Sequence, residues 1–173
     1  MWEKYFFLIL VLIHIVPVLA VDFFVTHDGP SHVYNASLIV RVLFHEANAS
    51  QFLMLNPQPE PNWIGHFLLA VMNQIFSGNI SEKILISVYI ISFPFAFRKF
   101  IFTINPQGTW TSYLIFPFIH SFLLYMGFYN FCLGIPILFF TLAYWFSQTA
   151  PLNLKRAVLI SFFRRKAFHI VEQ

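Results

Sequence analysis

Residues 84–99 read ILISVYIISFPFAFRK. No side chain from Ile84 to Phe97 is charged. Extended backward through Ser81 and Glu82, the run is long enough to cross a ~30 Å hydrocarbon core at about 1.5 Å per helical residue. It stops at Arg98-Lys99. A basic pair closing an apolar helix favours the cytoplasm, so this stretch sets both a fold class and an orientation.

The whole chain agrees with it. The 173 residues are 58% hydrophobic and 10% charged, with 24 phenylalanines, against about 45–50% apolar and about 25% charged in soluble domains. The ten Lys and Arg flank apolar runs and form no stripe interleaved with aromatics, which argues against a nucleic-acid partner. The single cysteine, Cys132, lies inside an apolar run. It can form no intramolecular disulfide and reads as a buried thiol. No repeat of fixed period is present.

Upstream, YFFLILVLIHIVPVLAV (5–21) has the length of a first span, with Pro17 tolerated where neighbours re-satisfy the freed carbonyl. An uncleaved anchor is favoured over a cleavable leader, for which VLA at 18–20 offers a processing site. Downstream, 110–126 and 129–147 read as two further spans, and 157–173 as a basic tail resembling a truncated span. Residues 22–79 hold most of the acids and histidines. Within them 30–47 reads as an amphipathic helix on the membrane surface. Residues 63–76 read as a helix of about 21 Å, too short to cross upright and so interfacial or re-entrant. The expected fold is all-α: a multi-pass bundle of four spans (5–21, 80–97, 110–126, 129–147) with one long outer loop, 22–79. Both termini are then cytoplasmic, because only Arg41 and Lys83 among the basic residues fall outside.

Chemistry concentrates in VTHDGPSHVY (25–34). Asp28 precedes Gly-Pro-Ser and suits a helix N-cap. It also stands four residues before His32, where a carboxylate and an imidazole could act as general base and orienting partner. His27, Asp28 and His32 are the candidate ligands of a divalent cation, a weak set because their spacing specifies no metal. His66, on the same side, is a further participant or an interfacial residue. His14 and His120 fall inside spans and read as neutral rings bonded to neighbouring helices. NAS at 35, NAS at 48 and NIS at 79 match glycosylation acceptors. The motifs of soluble enzymes are absent: no phosphate loop, Gly-x-Ser-x-Gly, Cys-x-x-Cys or His-Glu-x-x-His occurs.

Three stretches carry a resemblance: THDGPSHVYNA (26–36) beyond an apolar first span, PEPNWIGHFLLAVMNQIFSG (59–78), and SEKILISVYIISFPFAFRKF (81–100). In this order they resemble the N-terminal part of the GT-C superfamily of multi-pass glycosyltransferases, which includes protein O-mannosyltransferases and the aminoarabinose transferases of lipid A. The likeness covers about 5–150. It implies an outer-face transferase using a polyprenyl-phosphate-linked sugar reached from within the bilayer. Asp28 is then the acidic residue that serves as base or helps bind a cation, with His32 in support. Many members carry two adjacent acids where this chain has His27-Asp28, and they have eight or more spans. The resemblance therefore implies a partial transferase, inactive alone. The competing expectation is a non-enzymatic membrane subunit or assembly factor whose outer helix binds a partner.

Overall fold

A computed structural model describes residues 2–56, 58 and 62–147. The tail at 157–173, with Lys155 and Arg156 before it, lies outside the described residues. All regular structure within them is helical. Three helices are long and apolar enough to cross a membrane: α1 (Trp2–Leu19), α5 (Gly78–Ile104) and α8 (Tyr129–Phe146). Helix α1 turns Phe7, Val11, Ile15 and Val18 inward at helical spacing, while Phe6, Ile9, Leu12, Ile13 and Val16 stay exposed. An apolar stripe would have sufficed for a helix bathed in water; apolar residues all round are what lipid solvates.

Helix α5 is the central element, packed on α1, on α8 and on two shorter helices, α2 (Gly29–Leu43) and α4 (Trp63–Met72). It buries Leu85, Ile86, Tyr89, Ile90 and Phe93. It also runs past the Arg98-Lys99 pair expected to end it, reaching Ile104. Arg98 is engaged within the fold rather than left free at a helix end. Its guanidinium makes two hydrogen bonds to the Glu3 carboxylate, 2.8 and 2.7 Å, another to Ser112 at 3.2 Å, and lies 4.4 Å over the Phe7 ring. The Tyr113 hydroxyl donates to the same carboxylate at 2.8 Å.

The span expected at 110–126 is broken. A 3-10 helix (Pro106–Ile115) leads into α6 (Phe116–Ile119), an interruption at His120–Ser121, and α7 (Phe122–Met126). Pro117 lacks an amide for helical bonding. Ser121 begins a new helix by accepting from the Leu124 amide at 3.4 Å. The passage nevertheless runs the length of α1: Tyr113 is bonded at Glu3, His120 at His14, and Tyr125 and Met126 at the Thr26–Asp28 loop. His120 Nε2 donates to the His14 carbonyl, 3.1 Å away on α1, whereas the His14 ring bonds within its own helix, to Leu10 O at 2.7 Å, and not to a neighbouring helix as expected. Among the described residues, three continuous helices are thus long and apolar enough to cross a membrane, and the broken segment 106–126 runs beside α1. Helix α8 returns to the Glu3 end, where Phe146 meets Phe100.

At the opposite end, α2 (Gly29–Leu43) packs on α4 (Trp63–Met72), with the one-turn α3 (Ala47–Ser50) between them in sequence. Helix α2 ends earlier than the expected 30–47, with positive φ at His45 (54°). Helix α4 has ten residues, about 15 Å, and buries Gly65, Leu69 and Ala70 against the bundle. It is shorter than the expected 63–76 and far too short to span.

Candidate functional site

The polar groups of the Asp28 end gather around the loop Thr26–Gly29. Two backbone bonds seat it: the His27 amide donates to Tyr125 O at 2.8 Å and the Asp28 amide to Met126 O at 3.2 Å. Gly127 closes α7 at φ 83°, the left-handed region that glycine enters freely. On the other side of the loop, Gly29 covers a buried cluster. A Cβ there would fall on the Glu82 carboxylate and the hydroxyls of Thr26 and Tyr129.

That cluster ties the loop to two spans. Glu82 is 8% exposed. Its Oε1 accepts from Tyr129 and, at 3.4 Å, from Thr26, and the two hydroxyls lie 2.7 Å apart. Burying a carboxylate is costly unless hydrogen bonds compensate, and two hydroxyls on one oxygen supply them. None of these three residues stands out in the sequence as a site. The available signal was an acid one turn inside a long apolar helix.

Asp28 occupies the N-cap position of α2 in a helical conformation (φ −97°, ψ −4°) and makes no side-chain cap bond. The expected cap is therefore not formed, because a capping residue needs extended backbone to swing its oxygen onto the first-turn amides. Its carboxylate stands partly exposed, with His27 Nε2 at 4.0 Å. His32 turns elsewhere. Its Nδ1 lies 3.0 Å from His66 Nε2, so at least one of the two rings is neutral and accepts. Burial, then the neighbouring His66, hold His32 below its ordinary pKa of 6.5, against smaller opposing pulls from the Gly127 backbone and then Asp28. The geometry thus pairs Asp28 with His27 and His32 with His66, rather than Asp28 with His32.

Among the described residues, no three His, Cys, Asp or Glu side chains are grouped to hold a metal ion. His27, Asp28 and His32 do not converge, since the His32 nitrogen nearest a partner is engaged by His66. His66 joins the site as a second ring. Asn130 completes this end: its Oδ1 accepts from the Gly65 amide at 2.6 Å and its Nδ2 donates to Asn62 O at 2.7 Å, locking α4 to the top of α8. No protein-family model, curated protein or solved structure matches the chain. Function therefore rests on the chemistry of the site itself.

Proposed function

We propose that the chain is part of a GT-C-like membrane glycosyltransferase, and that its Asp28 end receives the acceptor on the outer face. The observation that carries this reading is a carboxylate with no cap bond, held on a loop pinned by Tyr125, Met126 and Gly127. A fixed carboxylate free of hydrogen bonds can take a proton from an acceptor hydroxyl. The alkoxide-like oxygen then bonds to the anomeric carbon, and the bond from that carbon to the polyprenyl phosphate breaks with its electron pair on the phosphate. His27 stands beside the carboxylate; His32 and His66 brace α2 against α4 and are positioning residues. Lys4, Arg98 and Lys99 at the Glu3 end favour the cytoplasm there, so the Asp28 end faces outward. The test is Asp28→Asn in the longest natural form of the protein, assayed for transfer from radiolabelled polyprenyl-phosphate hexoses. Normal folding with activity reduced 10²-fold or more supports the base; normal folding with full activity overturns it.

A second reading is favoured by a separate observation. Tyr34, Leu43, Phe44, Phe52 and Met54 leave a run of exposed apolar groups along α2 and after α3. Such a surface suits a non-enzymatic subunit that binds a partner, or a helix resting on lipid. Co-purification of a stoichiometric partner, lost in Phe44→Ser, together with no transferase activity in any form of the protein, would favour the subunit.

A further inference from the structure

The contact between His32 and His66 joins two helices through ring nitrogens that face each other. His32 Nδ1, in the first turn of α2, lies 3.0 Å from His66 Nε2, in the first turn of α4. The ring centroids are 4.8 Å apart with the planes at 68°, so the rings meet nitrogen to nitrogen rather than face to face. Both side chains are partly buried, neither enclosed nor fully in solvent.

Each ring is also held from behind. His66 Nδ1 lies 3.3 Å from the Asn62 carbonyl, and a carbonyl only accepts, so that nitrogen carries the proton. The Asn130 side chain donates to the same carbonyl at 2.7 Å and so fixes it from α8. The Gly127 backbone hydrogen-bonds the His32 ring and favours a proton on it. With Nδ1 turned to His66, the nitrogen left for that bond is Nε2. A neutral imidazole has one N–H. When both rings direct it at their carbonyls, two bare lone pairs face each other at 3.0 Å; when one ring turns it inward, a carbonyl loses its donor. Two neutral rings thus bring two protons to three contacts. A third proton would complete the set, but burial and the charge of the neighbouring ring oppose it.

We propose that His32 Nδ1 and His66 Nε2 chelate a late first-row divalent cation, Zn²⁺ being the expected ion, which clips α2 to α4. Zinc–nitrogen bonds of about 2.0–2.1 Å at a tetrahedral angle place the two nitrogens about 3.3 Å apart, so the rings need part by only a few tenths of an ångström. Each ring then keeps its outward N–H and gives its inward lone pair to the metal, and a backbone carbonyl behind the ring is how metal-bound histidines are ordinarily oriented. Imidazole selects zinc, copper and nickel over magnesium and calcium. The pair differs from the set His27, Asp28 and His32 in drawing its second ligand from another helix. It does not rest on the transferase reading.

The experiment is calorimetric titration of the metal-free full chain in detergent at pH 7.5 with Zn²⁺ and, separately, with Mg²⁺. One equivalent of Zn²⁺ is expected to bind at about 1–100 µM, weaker than a four-ligand site because half the ligands are present, and Mg²⁺ at least about tenfold more weakly. His32→Gln and His66→Gln should each weaken the Zn²⁺ event at least about tenfold, and His45→Gln, at an exposed position beyond α2, should leave it unchanged. With the unaltered chain, one equivalent of Cu²⁺ should give an electron paramagnetic resonance spectrum coupled to two imidazole nitrogens, a readout that stands even where a variant fails to fold. Zn²⁺ binding no tighter than Mg²⁺ overturns the proposal. So does a Zn²⁺ event lost in His27→Gln but kept in both pair variants, or a Cu²⁺ spectrum with a single imidazole.

Discussion

Gly127 touches Asp28 backbone to backbone: a Cβ at position 127 would come within 3.0 Å of the Asp28 amide nitrogen and 3.1 Å of Gly29 N. Helix α7 ends, the chain turns through positive φ, and the loop bearing the exposed carboxylate rests on the bare α-carbon. The third passage thereby sets the height of Asp28.

Gly127→Ala meets both obstacles together, the left-handed φ and the close backbone. The expected loss is about 2 kcal/mol or more, read as a lowered midpoint of thermal unfolding in detergent. Gly134→Ala in α8 serves as the comparison at a helical position with ordinary φ.

Asp28→Asn and Asp28→Ala should each leave stability within about 0.5 kcal/mol of the parent, because no cap bond exists to lose. A formed cap would cost about 0.5–2 kcal/mol on replacement by Ala and little on replacement by Asn. Thermal unfolding of the two variants side by side separates these outcomes.

Stability should fall as the medium is acidified below pH 6.5. His32 is held below that ordinary value in the fold, so the unfolded chain takes up its proton first and the folded state is disfavoured from pH 6.5 downward. The contribution is fully present above 6.5. The slope attributable to this one group is at most about 1.4 kcal/mol per pH unit. Unfolding midpoints between pH 7.5 and 5 measure it, and His32→Gln should flatten that part of the profile.

Arg98→Gln removes the two bonds to Glu3 and the contact over Phe7. Glu3 is about half exposed, so solvent screening limits the loss to about 1 kcal/mol. Loosening should concentrate at the Glu3 end, where hydrogen exchange of the 3-10 helix is expected to quicken.

In a Cys132→Ser background, Gln51→Cys should react with an impermeant maleimide added outside intact cells, and Gln107→Cys only after permeabilisation. The reverse pattern would invert the orientation. Labelling of both from outside would mean that α5 is not the single crossing between them.

The three continuous spans were legible because hydropathy and length alone specify a helix that lipid can solvate, as α1, α5 and α8 show. The short helix α4 was legible for the same reason in reverse, its apolar run being too brief to cross. The break at His120–Ser121 was not, since hydropathy is blind to a serine that restarts a helix. At the site, the histidine pair joins positions 34 residues apart, a relationship that spacing within one helix cannot reveal. Glu82 read as the flank of a span, although its burial depends on hydroxyls from the loop and from α8.

The interrupted passage also constrains how the protein is made. A continuous helix satisfies its own backbone and can enter lipid by itself, but the carbonyls and amides around His120 need partners that hydrocarbon does not provide. The His120 ring adds a tie of its own, donating to the His14 carbonyl on α1. Residues 106–126 therefore have no stable residence in the bilayer until α1 and α5 are there to receive them. The segment is thus expected to settle in a bilayer only in the company of α1 and α5.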